Sequence, residues 1–233
     1  MMNRFFVTLV LGTLAMGVTA ARAATYGDST SDTFTGAGGG ILDITSVEVN
    51  NNATDLIFKI NLAGNPTSPT DWGKYMIGID SVVGGDSTGN GWVRPISMSS
   101  GMDYWIGSWA DSGNGAEVWK FTSWGLQSAT YGSNPDSISI AKDSSSVTLQ
   151  FKFAGLGLGL GSSFAFDVYT SGGGSGDGAV DALANPSQTI SDWGNAYNSG
   201  GLVYNYTVPE PSALALLGLG GLAVAWRAVR RKA

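Results

Sequence analysis

The feature that most restricts the fold is the period of the apolar residues. In the segment 55–62, Leu56, Phe58 and Ile60 alternate with Ile57, Lys59 and Asn61, and further on Val147, Leu149, Phe151 and Phe153 alternate with Thr148, Gln150 and Lys152. Side chains two apart share one face of an extended strand, so each apolar row is an inward face. Helical period is nearly absent. Short rows of this kind, separated by clusters of Gly, Ser, Asn and Asp, predict an all-β body, a single antiparallel β-sandwich with jelly-roll or immunoglobulin-like layers. Strands are expected at 41–49, 55–62, 74–80, 103–110, 116–122, 147–153 and 163–170, with shorter ones at 137–140 and 203–207. The segments 50–54 and 112–115 read as hairpin turns, because Asn and Gly tolerate the positive φ that tight connections need. The Leu/Gly alternation at 156–161 and the Gly/Ser run at 172–178 read as loops, and there is no internal repeat.

Both termini differ from this body. Arg4, an apolar run over 5–18 and the small-residue site Ala21-Arg22-Ala23 have the layout of a secretory signal peptide, with residues 1–23 removed after Ala23. The body then runs from 24 to 207 as one domain, and residues 208–233 form a separate tail. Six of the twelve cations and seventeen of the eighteen acids lie in the body, which leaves it a net charge of −11. Such a surface repels phosphate backbones, so nucleic acid is excluded as a partner, whereas a neutral glycan or a divalent cation suits it.

The residue inventory narrows the chemistry. Cysteine and histidine are absent, which rules out disulfides, Ser/His/Asp and Cys/His nucleophiles and His-bearing zinc sites. Only carboxylates could serve as general acid and base. Asp80, Asp103 and Asp167 are the candidates, each with a turn cap or a buried, hydrogen-bonded Asp as its plain structural alternative. Asp80, Asp86 and Asn90 sit on a Gly-rich loop with the hard oxygen ligands that calcium prefers. Asp177, Asp181 and Asn185 make a second such group. Loop solvation and Asx turns are the alternative for both.

Seven of the eight tryptophans lie in the body. An indole offers a flat apolar face for the C–H side of a sugar ring while neighbouring Asp, Asn and Arg bond its hydroxyls. Trp72, Trp92 and Trp193 fall in loops, and with Arg94 they are the candidate carbohydrate-binding set. Trp105 and Trp109, four apart in a strand, project to one side, where core packing is expected.

The tail begins Val208-Pro209-Glu210-Pro211, continues without charge over 212–226, and ends with Arg227, Arg230, Arg231 and Lys232. The prolines disfavour helix until Pro211 is passed, and fifteen helical residues span roughly 22 Å against about 30 Å of hydrocarbon. That is short for a permanent anchor, although an ordinary single-pass anchor is the alternative. This three-part tail resembles the PEP-CTERM sorting domain. The resemblance implies an exosortase-type processing enzyme acting near Pro209, Glu210 and Pro211 in a Gram-negative bacterium, an inner-membrane stage before processing, and a company of extracellular polysaccharide. By analogy with GPI signals, the processed protein would keep no membrane helix.

The stretch 34–62, in which 42–49 leads into 55–60, followed by 75–80, is similar to the opening strands of DOMON-like domains. These include family 9 carbohydrate-binding modules and C-terminal domains of glucodextranase-type enzymes. The similarity implies a β-sandwich that binds sugars or, in other branches, haem; the lack of His disfavours haem, and Asp80 would be a loop ligand. Together these readings describe an exported, surface-associated, non-catalytic protein that binds carbohydrate or exopolysaccharide, requires no cofactor, and takes calcium as a structural ion. A structural envelope or matrix protein without a ligand site is the first rival and predicts that Trp72, Trp92 and Trp193 are all buried. A carboxylate-dependent glycoside hydrolase or lyase is the second and predicts two acids converging in a cleft beside aromatics.

Overall fold

Fourteen short strands follow one another in the described body. They are β1 (Ala24–Gly27), β2 (Ile44–Asn51), β3 (Asp55–Leu62), β4 (Gly73–Asp80), β5 (Ile96–Met98), β6 (Tyr104–Trp109), β7 (Ala116–Lys120), β8 (Gly125–Ala129), β9 (Ile138–Lys142), β10 (Ser146–Lys152), β11 (Ser163–Gly172), β12 (Ala179–Ala182), β13 (Tyr197–Ser199) and β14 (Leu202–Asn205). The structure, a computed structural model, describes residues 23–34, 36–52, 54–110, 115–131, 138–152, 163–187 and 190–206. All of these belong to one compact unit, Ala21–Val208. The expected signal helix, the hydrophobic C-terminal helix, Pro209, Glu210 and Pro211, Phe153, the 156–161 loop and most of the 112–115 turn lie outside the described residues. Among the described residues no helix is long and apolar enough to cross a membrane.

Alternation builds the first sheet, in the order β1-β2-β3-β10-β9 with every pair antiparallel. The register sets Val49, Phe58 and Leu149 side by side, and Val47, Ile60 and Val147 in the next row. All six are fully buried. The opposite face carries Glu48, Lys59 and Thr148, where Lys59 and Glu48 form a solvent-facing ion pair at 3.5 Å.

The second sheet runs β12-β11-β4-β6-β7-β8 and is antiparallel throughout. β12 and β14 pair with successive parts of the same edge of β11. Tyr75, Ile77 and Ile79 of β4, Ile106 of β6 and Phe166 and Val168 of β11 share one buried cluster with the inward rows of the first sheet. Phe166 meets Phe58 edge-on, with ring centroids 5.3 Å apart. Two antiparallel sheets enclosing a common apolar layer are a β-sandwich, as the alternation predicts. Two phenols pin the chain's last described strand to the first sheet: Tyr204 donates to Asn51 Oδ1 at 2.6 Å and Tyr206 to the Asn52 carbonyl at 2.7 Å.

The outer face of the second sheet is itself covered. Met76, Trp105 and Tyr169 project there and pack with Ile96, Met98 and Met102 into a second buried cluster. β5 and β13 form a two-stranded parallel ladder within this covering layer. Gly78 makes room for it, since a Cβ there would stand 2.6 Å from Met102 Sδ and 3.0 Å from Met98 Sδ. Trp105 and Trp109 do share one side, the outer face of the sheet and not the sandwich interior; Trp105 is buried in this second layer, whereas Trp109 is only half-buried, so the expected core packing holds for Trp105 alone.

Candidate functional site

Two adjoining clefts open on the outer face of the second sheet. The register places Lys74 of β4 beside Trp109 of β6, and Gly107 beside Glu117 of β7. Because the inward residues of these strands are Tyr75, Ile106 and Val118, the others must face out. The first cleft, of about 440 Å³, is bounded by Asp71, Trp72, Lys74, Asp177 and Trp193 and by the backbone of Gly172, Gly173 and Gly174. The second, of about 250 Å³, is bounded by Lys74, Trp92, Arg94, Trp109, Glu117 and Ser175 together with Gly173. Lys74 and Gly173 belong to both.

Each tryptophan is held differently. Trp72, immediately before β4, is 69% exposed. Trp193 is half-buried and stands edge-on against Phe34, with ring centroids 4.7 Å apart. Trp92 lies flat on Gly107, where a Cβ would come within 2.2 Å of its ring carbons. Its Nε1–H donates to Glu117 Oε2 at 2.7 Å, and Trp119 Nε1–H donates to the same oxygen at the same distance. Tyr131 donates to the other oxygen, and that carboxylate pushes the phenol up to about 12. A single Glu117 therefore fixes three aromatic rings.

Gly107→Ala is accordingly expected to lift the Trp92 indole and break its bond to Glu117, since a rigid ring cannot yield as a flexible chain end does. The loss of stability is about 1–3 kcal/mol, as for an overpacked core. The Trp92 indole N–H resonance in a ¹H–¹⁵N spectrum, compared with that of Trp119, checks it. An unmoved Trp92 signal would contradict the contact.

Arg94 is 6% exposed, and burial lowers its pKa. Its Nη1 donates to Ser171 Oγ at 2.7 Å, to the Gly172 carbonyl at 3.2 Å and to the Asp177 carbonyl at 3.1 Å. The guanidinium also lies 5.8 Å from the Trp92 ring centroid. Arg94 thus shapes the Gly-rich ridge between the clefts and backs one of their aromatic walls.

The other sequence candidates serve the fold. Asp103 Oδ2 accepts from the Ser81 and Val82 N–H groups and caps the turn after β4. Asp167 is fully buried; Oδ1 accepts from the Val168 and Ala184 N–H groups and Oδ2 from Ser199 Oγ. Asp86 Oδ1 accepts from Thr88 and Gly89, and Oδ2 from Trp124 Nε1 at 2.8 Å. Asn90 ties its own loop, donating to the Arg94 and Ile96 carbonyls and accepting from the Trp92 and Arg94 N–H groups. Asp80 lines a different hollow with Val82, Val83 and Ala165, of which neither Asp86 nor Asn90 is a wall. In the second group, Asp177 Oδ2 accepts from Gly174 N–H on the ridge, while Asp181 bonds the Ile44 and Ala182 N–H groups.

Sequence reasoning missed Lys74, Asp71, Trp109 and Glu117 as cleft residues. The four-residue spacing of Trp105 and Trp109 was a signal for Trp109; for the others only strand register could bring them in. It also missed a group of acids outside the clefts. Asp28, Asp32 and Asp181 each place a carboxylate oxygen so that all lie within 4.8 Å of one another. Burial and mutual repulsion raise Asp28 to about 7 and Asp181 to about 9, and burial raises Asp32 and Asp43 as well.

The tail answers to a known signal. Residues 207–232 match the PEP-CTERM protein-sorting motif. The chain is therefore an exported protein with a C-terminal sorting signal of the kind that an exosortase-type enzyme processes at the membrane of Gram-negative bacteria. No curated protein matches the chain.

Proposed function

We propose that this exported protein binds neutral polysaccharide through its paired clefts and stays at the cell surface or in the surrounding matrix. One observation carries the reading. Trp72, Trp92, Trp193 and Arg94, singled out from sequence for their chemistry, all border two adjoining clefts that also hold Trp109, Lys74, Asp71, Asp177 and Glu117. Indole faces alternating with charged hydrogen-bonding groups suit a chain of pyranose rings, whose C–H faces stack while their hydroxyls bond at the edges. The first cleft has the size of a small-ligand site, and the second continues it past the Gly173 ridge.

Binding suits these clefts better than hydrolysis. A glycosidase needs one carboxyl free to donate and another free to attack or to activate water. Here Glu117 holds three aromatic donors, Asp71 accepts from the Gly38 and Trp72 N–H groups, and Asp177 accepts from Gly174. The sorting motif is consistent with this reading, because an exported body can meet polysaccharide outside the cell.

Affinity electrophoresis of the full chain in mild detergent, through gels carrying neutral polysaccharides, tests the proposal. At least one glycan should retard the protein. Trp72→Ala and Trp92→Ala should each weaken that retardation about 5–10-fold, the loss of one stacking contact. Mobility that no polysaccharide alters, or that neither substitution changes, would sink it.

A further inference from the structure

The acids that converge away from the clefts demand a partner. Asp28 and Asp32 follow β1, Asp43 immediately precedes β2, and Asp181 lies in β12 of the other sheet. Asp43 is 5% exposed and Asp181 2%. Four oxygens of this group, Asp28 Oδ2, both of Asp32 and Asp43 Oδ1, are buried without any hydrogen-bond partner. An unpaired buried carboxylate oxygen is costly, and four beside one another more so, because like charges repel strongly where water is excluded. Among the described residues no lysine or arginine pairs with these four acids; Lys59 pairs with Glu48 and Lys152 with Asp55.

The remaining oxygens are those that orient the group. Asp28 Oδ1 accepts from Ser29 N–H and Asp43 Oδ2 from Ser31 N–H, both at 2.8 Å. Asp181 Oδ2 accepts from Ile44 N–H at 2.6 Å, and Oδ1 from Ala182 N–H at 2.8 Å. These backbone donors set each carboxylate while leaving lone pairs for a further ligand.

We infer that Asp28, Asp32 and Asp181 form a calcium site that ties the segment between β1 and β2 to β12. Two oxygens bound to one calcium at about 2.3–2.6 Å can stand no farther apart than about 4.6–5.2 Å. The 4.8 Å envelope of Asp28, Asp32 and Asp181 meets that limit. Asp43, whose Oδ1 is buried without a partner, adds its charge to both Asp28 and Asp32. An all-carboxylate, hard-oxygen set favours calcium over zinc, which takes nitrogen and sulfur, and irregular loop ligands favour it over magnesium, which holds a strict octahedron and most of its water. The ion would also steady a cleft wall, since Phe34, two residues beyond Asp32, supports Trp193.

The test uses the ion alone and is independent of any sugar. The full chain in mild detergent, freed of metal by chelation, is titrated with CaCl2 by calorimetry and melted with and without it. One ion should bind per chain. With an affinity typical of extracellular modules, near 10⁻⁴ M, about 10 mM CaCl2 should raise Tm by about 5–10 °C, and MgCl2 by less than half of that. The double variant Asp28→Asn/Asp32→Asn, which sheds two repelling charges and so folds without the ion, should lose the shift; Asp86→Asn should keep it. No heat and no shift in the parent chain, an equal response to magnesium, a shift that survives in the double variant, or its loss in Asp86→Asn would each overturn the assignment.

Discussion

Trp105→Ala is expected to remove about 3–5 kcal/mol of stability, enough to lower Tm by roughly 10 °C. The residue is fully buried and holds the covering layer to the second sheet. Its ring stacks on Tyr169 with centroids 5.9 Å apart, meets Trp92 edge-on at 6.3 Å and neighbours Trp119 across the β6–β7 pair. Gly78 lies beside it on β4 and has no side chain to collapse into the void. The cavity would therefore persist, and Trp92 would lose one of its supports along with the cleft it walls. Trp105→Phe provides the contrast. It keeps most of the packing and discards an indole N–H that is buried without a partner, so it should cost well under half as much. Urea denaturation of both variants decides; equal losses would mean that the cavity is not the cause.

The second large effect is a dependence on pH. Burial raises Asp167 to about 7, above the ordinary carboxyl value of 3.8. Between those values the folded protein keeps a proton that the unfolded chain has released. Its contribution to stability is thus greatest at the acid end, declines as pH rises toward 7 and levels off above it. Asp167→Asn cannot titrate. Its amide oxygen can still accept from the Val168 and Ala184 N–H groups, and its NH₂ can donate to Ser199 Oγ. From about pH 5 to about pH 8 the parent should lose on the order of 3 kcal/mol relative to this variant. Urea melts of both proteins at the two pH values measure the difference. Parallel behaviour would show that the N–H donors keep Asp167 ionised throughout.

The rows that alternate over several residues were legible in the sequence: β3, β4, β6, β7, β10 and β11 lie within a few residues of where the pattern puts them. β2 begins at Ile44 instead of 41, because residues 41–43 turn first and Asp43 is held by Ser31. The strands that escaped, β1, β5, β8, β12 and β13, have only three to five residues and little apolar contrast. Their extended form comes from pairing with a longer neighbour, as β12 does along β11, and no local pattern records that. The same reason separates the site residues. Loop tryptophans flanked by Gly and Asp could be read as cleft walls, whereas Glu117 gains its meaning only from the register that sets it beside Gly107. Asp28 and Asp32, four apart in a turn-rich segment, carry no local pattern that marks them as ligands. Asp181, more than a hundred residues away, was not theirs to see without the two sheets in place.

Two phenols, Tyr204 of the last described strand and Tyr206 just beyond it, bear on mechanics. A tail that is gripped by a processing enzyme pulls on Tyr206 and then on β14. Were that strand held only by its ladder to β11, it could peel away one hydrogen bond at a time. The links from Tyr204 to Asn51 and from Tyr206 to the Asn52 carbonyl carry the load across to the opposite sheet instead. Tension from that end must then part both layers together, a far stiffer arrangement than a strand held by its ladder alone.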